Sequence, residues 1–139
     1  MAGRAPPKTE DRYMQLEIEI KAEDGRYVVI PRGEVDLVTQ SQLKEVINEL
    51  VVGGHVDIIV DLDETTFLDS TGLGALIGAR RKTHAFMGSF AIVCTQERML
   101  KLFRITSLDK VFAIRDSRRE ALARPERAAQ ADLQDGQPA

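Results

Sequence analysis

Residues 56–62 read Val-Asp-Ile-Ile-Val-Asp-Leu, a nearly continuous apolar run of strand length. Such a run suits a central strand buried on both faces, not a strand with one face in water. It constrains the rest of the chain, because other elements must cover both sides of it. The flanking sequence supplies them. Leu43, Val46, Ile47, Leu50 and Val51 follow the i, i+3, i+4, i+7, i+8 spacing of a helix with one apolar face. Thr39 and Gln42 have capping-box spacing at its start, and Gly53-Gly54 supplies its stop. Further upstream, Met14, Leu16, Ile18 and Ile20 alternate with Gln15, Glu17, Glu19 and Lys21, the period of a strand with one wet face. Asp24-Gly25 is a turn signal, and Tyr27 to Ile30 reads as the returning strand of a hairpin.

Downstream, Asp63 to Asp69 reads as a loop leading to a second helix from about Thr71 to Ala85. Phe90 to Cys94 is another apolar strand. Thr95 is placed to cap a third helix, in which Met99, Leu100, Leu102 and Phe103 are expected to be mostly buried. Val111 to Ile114 reads as a short last strand. Ser117 and Glu120 form another capping-box pair, and Pro125 follows the end of the final helix. The order ββαβαβαβα implies an α/β fold with a mixed, mainly parallel sheet and packed helices. The domain is expected to span residues 14–123. Residues 1–13, rich in Ala, Pro and charge, and residues 124–139, with one leucine and two prolines, are expected to be flexible tails.

The composition removes several functions. A length of 139 residues is one domain's worth. Nineteen Lys and Arg against twenty-two Asp and Glu leave a net charge of −3, which argues against nucleic acid as a partner. No apolar run approaches the roughly 18 residues that would span a bilayer, so no membrane role is expected. Met1 to Lys8 holds no apolar segment like that of a signal peptide. Cys94 is the single cysteine, so neither a disulfide framework nor a cysteine metal cluster is available, and a cytoplasmic location is expected. His55 and His84 are too few for a multi-histidine metal site. No unpatterned apolar surface asks for a stable homodimer, so a monomer is expected.

The most informative segment is Phe67-Leu68-Asp69-Ser70-Thr71-Gly72-Leu73-Gly74, between the central strand and the second helix. Ser70 sits where an N-cap belongs, and read alone it is either a simple cap or a hydroxyl able to carry phosphate. A phosphate at a helix start meets free amides and the favourable end of the dipole. Gly72 and Gly74 leave room for another chain's backbone to approach. As a dinucleotide fingerprint the glycines fail: the third position of the strict spacing is Ile77, and Asp63, Glu64 and Asp69 would repel a pyrophosphate. As a hydrolase the segment also fails. Leu68 stands where a nucleophile elbow needs glycine, and His84 lies about four helical turns from Ser70. Cys94, inside an apolar strand, reads as an inert buried thiol. A second polar cluster, Gly33-Glu34-Val35-Asp36, precedes the first helix. It reads as a turn whose solvated acids contribute little to stability. If its strand neighbours the central one, Asp36 and Ser70 share a rim.

These two motifs together carry a resemblance. The chain resembles the anti-anti-sigma factors of bacterial partner-switching systems, which are single STAS domains, over about residues 16–122. Gly33-Glu34-Val35-Asp36, followed by Thr39 and an amphipathic helix, is similar to the family's GE-hydrophobic-D signature. Phe67 to Gly74 is similar to its phosphorylation loop. Cys94-Thr95-Gln96-Glu97-Arg98 and Phe103-Arg104-Ile105-Thr106 look like the actinobacterial branch that controls development and stress sigma factors. The resemblance implies binding and not catalysis. The unphosphorylated form binds an anti-sigma factor kinase and frees the sigma factor. That kinase, which supplies the ATP and Mg²⁺, phosphorylates the antagonist's serine, and a metal-dependent serine phosphatase removes the phosphate. The chain itself is expected to hold no cofactor and no metal. By motif position the acceptor is Ser70, with Thr71 as a minor alternative. Glu34, Asp36, Thr39, Phe67, Asp69, Thr71, Gly72, Leu73 and Gly74 are the implied partner-binding positions, with Asp36 supporting docking more than folding. A STAS module of another circuit, stressosome or transporter-associated, is the alternative, and a small enzyme ranks below both.

Overall fold

The computed structural model describes residues 16–126. Residues 1–15 and 127–139, which include Met14 and most of both expected tails, lie outside the described residues. Strands β1 (Glu17–Glu23) and β2 (Arg26–Val35) form an antiparallel hairpin, with Glu17 opposite Arg32 and Glu23 opposite Arg26. Asp24 and Gly25 both take left-handed backbone (φ 51° and 79°), the two-residue turn whose twist matches the flanking strands. Strand β2 pairs in parallel with β3 (Asp57–Asp61), β3 with β5 (Ser89–Val93), and β5 with β6 (Ala113–Arg115). The sheet is therefore mixed and mainly parallel, and the apolar run at 56–62 lies at its centre.

That run is apolar on both sides because each side meets a different core. Ile58 and Val60 face one layer together with Val29, Phe90 and Ile92, and Ile59 faces the other with Val28 and Ile30. Helices α1 (Gln40–Val52), α2 (Ser70–Ala85) and α3 (Glu97–Ile105) cover the first face. They bury Leu43, Ile47 and Val51, then Leu73, Leu76 and Ala79, then Met99 and Phe103. The short helix α4 (Arg118–Ala123) covers the second face through Ala121.

One strand is added to the expected order, besides a short 3-10 turn at Leu108–Lys110. Thr65–Leu68, expected within a loop, form strand β4. It pairs in parallel with the end of β2, where the register shifts between Gly33 and Glu34. The end of β2 thereby leaves β3 and takes β4 as its neighbour. Thr65, Thr66 and Phe67 favour extended backbone, but four residues are too few to display a period. Gly33-Glu34-Val35 thus belongs to a strand and not to a turn.

The helix caps also differ in part. Thr39 precedes α1 but makes no side-chain cap, and the Gln42 side-chain amide donates to the Leu16 carbonyl (3.2 Å), so the expected capping box is absent. Thr95 does not cap α3. Its amide and hydroxyl both donate to Asp63 Oδ1 (2.7 and 3.1 Å), and Gln96 stands at the cap position. Ser117 Oγ does accept the Glu120 amide (3.0 Å), as its spacing predicts. Past α4 the chain stays packed as far as Glu126, whose carboxylate accepts the Phe90 amide (2.9 Å) and lies 2.8 Å from His84 Nε2.

Candidate functional site

The end of β2 and the end of β4 build one rim. Glu34 stands opposite Phe67, Val35 stands opposite Leu68, and the Asp69 amide donates to the Val35 carbonyl (3.3 Å). Both sequence motifs therefore meet, and Asp36 and Ser70 lie where the sheet hands over to α1 and α2.

Asp69, not Ser70, is the N-cap of α2. Its backbone is extended, and Oδ1 accepts the amides of Thr71 and Gly72 (both 3.0 Å) and the Thr71 hydroxyl (2.6 Å). The Thr71 hydroxyl is the main cause holding the Asp69 carboxyl below its ordinary range, and the amides of Gly72, Thr71 and Leu37 add to it. An aspartate in that place satisfies helix amides and sits at the favourable end of the helix dipole. Ser70 becomes the first helical residue, exposed, while the neighbouring Thr71 hydroxyl is committed to Asp69. Two hydroxyls adjacent in sequence thus differ in availability.

Asp36 is also structural. Its Oδ1 accepts the amides of Val38 and Thr39 (both 3.0 Å), which fixes the loop between β2 and α1. This overturns the reading of a solvated acid that contributes little to stability. The Thr39 hydroxyl donates to the Glu34 carbonyl (2.6 Å) and accepts the Asp36 amide (3.0 Å). Thr39 is buried, so it shapes the loop from beneath.

The glycines separate as well. A methyl group at Gly72 would stand 2.5 Å from Leu68 Cδ1 and 2.9 Å from the Val35 carbonyl oxygen. Gly72 therefore lets α2 approach β2 and is buried, so it offers no space to another chain. Gly74 is exposed and open. Among the nominated partner-binding positions, Glu34, Phe67 and Gly74 are exposed, and Asp36, Asp69 and Thr71 are half-buried. Thr39, Gly72 and Leu73 are buried and act as support.

Sequence reasoning missed two residues. Leu37 and Val38 are 69% and 53% exposed on the loop held by Asp36, where the Leu37 amide reaches the Asp69 carboxylate, and Phe67 on β4 is 49% exposed. The signal was present: both are apolar, adjacent, and outside the helical spacing that begins at Leu43. Together they place apolar surface on an acidic rim beside Ser70.

The histidines stay away from this site. His84 lies at the far end of α2 against Glu126, and His55 packs on Tyr27 with ring centroids 4.3 Å apart. Cys94 is buried, and burial pushes its thiol up to about 11.

The exposed serine at a helix start, among carboxylates and apolar side chains, thus sits on the rim of a small α/β domain. The chain belongs to the STAS domain family, whose model matches residues 17–121. It is 32% identical over 103 residues to the anti-sigma-B factor antagonist of Staphylococcus aureus, covering 74% of this chain and 95% of that protein. It is 30% identical over 104 residues to the anti-sigma-B factor antagonist of Listeria monocytogenes, covering 74% and 91%. Its structure is similar to that of an anti-sigma factor antagonist from Mycobacterium paratuberculosis, with a TM-score of 0.72 and 28% identity over 78% of this chain and 92% of the other.

Proposed function

We propose that this chain is an anti-sigma factor antagonist switched by phosphorylation of Ser70. Its unphosphorylated rim binds an anti-sigma factor kinase and releases the sigma factor. That kinase transfers the γ-phosphate of ATP, with Mg²⁺, to Ser70 Oγ, and a metal-dependent serine phosphatase reverses the step. The chain acts in the cytoplasm as a monomer, holds no cofactor of its own, and contacts neither nucleic acid nor membrane. The observation that carries this reading is the exposed Ser70 beside the exposed apolar residues Leu37, Val38 and Phe67.

The physical logic is local. A phosphoserine adds about −1.5 to −2 charges at pH 7. Asp69 already occupies the amides of Thr71 and Gly72, so the phosphate cannot take those two donors and much of its charge remains on the binding surface. Covering that dianion with a partner costs desolvation and repulsion beside Asp69 and Asp36. A hundredfold loss of affinity requires roughly 2.7 kcal/mol, within reach of one unpaired phosphate at an interface.

The test pairs the purified protein with an anti-sigma factor kinase and MgATP. Intact mass should rise by one phosphate, and peptide mapping should place it on Ser70. Calorimetry should show at least a hundredfold weaker binding of the phosphorylated form, and Ser70→Ala should bind like the unmodified protein. Phosphate found mainly on Thr71 or Thr66, or equal binding of both forms, defeats the reading.

A further inference from the structure

Strand β4 and helix α3 enclose an open groove of about 200 Å³ lined mainly by Phe67, Leu68, Met99 and Leu102, with Arg98 on its wall. We propose that this groove receives an acidic segment of the anti-sigma factor kinase, anchored by an apolar side chain. The proposal rests on the function put forward above and adds where that kinase docks and with what chemistry.

Three observations lead there. The first is position. Phe67 is three residues from Ser70 and forms part of the groove. A stable interface covers about 800 Å² on each partner. Centred on Ser70, such a footprint extends on the order of 15 Å outward and takes in β4.

The second is the pattern of α3. Met99 and Phe103 turn into the core. Arg98, Lys101, Leu102 and Ile105 recur at i, i+3, i+4 and i+7, so they form a separate stripe. Ile105 on that stripe is 70% exposed and Leu102 is half-buried. Leu102 packs against the edge of the core and Ile105 lies outside it; Arg98 and Leu102 of this stripe line the groove.

The third is charge. Arg98, Lys101 and Arg104 are exposed on α3, and its one acid, Glu97, pairs with Arg104 (3.2 Å). Across the rim, the β2 and α2 side carries Glu34, Asp36 and Asp69. Exposed Asp63 holds Thr95 just before α3; beyond it the surface is split in sign, acidic toward β2 and basic along α3. A surface split in this way selects the orientation of its partner and speeds encounter. The segment seated over α3 must be acidic, and the apolar lining calls for a leucine-like or aromatic side chain between its acids.

The groove takes no part in phosphoryl transfer. Its removal should therefore weaken docking and leave the chemical step alone. The experiment uses a kinase that phosphorylates the unmodified protein on Ser70. Arg98→Glu reverses the charge on the groove wall, Ile105→Ser removes the exposed apolar end of the stripe, and Lys44→Glu, exposed on α1, makes the same change of two charges outside the groove. Both groove variants should raise Kd and KM at least tenfold, keep kcat within twofold, and melt with the unmodified protein. Lys44→Glu should leave Kd within twofold. Groove variants that bind within twofold of the unmodified protein overturn the proposal, as does an equal loss in Lys44→Glu. Should the charge-reversed form melt early, Ile105→Ser decides alone, since its side chain is already in solvent. A kinase panel that leaves Ser70 of the unmodified protein unphosphorylated overturns the underlying function, and this docking with it.

Discussion

Asp69 offers the sharpest test of how this rim is built, because its cap and its charge can be removed separately. Asp69→Ala deletes the acceptor for the Thr71 and Gly72 amides and for the Thr71 hydroxyl. Loss of an N-cap costs typically ~1 kcal/mol. Gly72 is buried, so its amide is left without water, and an unsatisfied buried donor costs about 1–3 kcal/mol. Because the helix end relaxes in part, the expected total is about 2 kcal/mol, a fall in Tm of roughly 6–10 °C for a domain of this size. Asp69→Asn keeps an acceptor oxygen and loses only the charge at the helix start, about 0.3–1 kcal/mol. Urea unfolding of the three proteins at pH 7 should rank them Asp, then Asn, then Ala. The pH dependence fixes the cause. The folded carboxyl lies below its unfolded value of about 3.9, so ionisation and folding favour each other. The advantage of Asp over Asn should be complete above about pH 5, and it should shrink as pH falls through 4 toward the folded value. An alanine variant within about 0.5 kcal/mol of the parent, against the ~1 kcal/mol that a cap is worth, would refute the assignment of Asp69 as the cap. An Asp–Asn difference that grows on acidification would refute the electrostatic part.

Asp36→Ala should lose about 1–2 kcal/mol by chemical denaturation, since two loop amides lose their acceptor; an unchanged melting curve would show that the loop holds itself. Gly72→Ala and Gly74→Ala should act in opposite directions although both lie in the first turns of one helix. At Gly72 the clash with the Val35 carbonyl costs about 1–3 kcal/mol and outweighs the ~1 kcal/mol gain in helix propensity, whereas at Gly74 only the gain applies. Thermal melts of the two variants decide it. The Cys94 thiol, buried and pushed up to about 11, should react with a disulfide reagent at pH 7.5 only as fast as the domain opens, and rapid labelling of the native protein would contradict its burial.

The layers of the fold were legible in the sequence because long periodic segments carry them. The stripe from Leu43 to Val51 marked α1, and the unbroken run at 56–62 marked the central strand. Strand β4 was not legible. Its pairing depends on a register shift two strands away in sequence, and nothing within Thr65–Leu68 encodes that shift. The motifs were found, but not the division of labour within them. Spacing put Ser70 at the cap, but the register that brings Asp69 against Val35 gives that place to Asp69. Thr39 failed as a cap for a similar reason, since its hydroxyl is drawn to the Glu34 carbonyl five residues back. Leu37 and Val38 were legible only as apolar residues left outside the helical spacing that begins at Leu43, a signal that marks exposure but no role.

The rim separates what holds the domain together from what a modification can change. Asp36 and Asp69 each commit a carboxylate oxygen to backbone amides, and Thr39 and Thr71 commit their hydroxyls to neighbouring oxygens. Ser70 stands among them as an exposed residue on the first turn of α2. A phosphate there would gain from the helix dipole about 0.3–1 kcal/mol. It would also stand beside the Asp69 carboxylate, and repulsion between exposed charges in water is of the same order and opposite in sign. The two effects nearly cancel in the free domain. In the proposed complex they would not cancel, because covering the rim would remove the water that screens the repulsion while the Thr71 and Gly72 amides remain occupied by Asp69. On the function proposed above, the same added charge would be almost neutral for folding and costly for binding, and the cap residue beside the serine would create that difference.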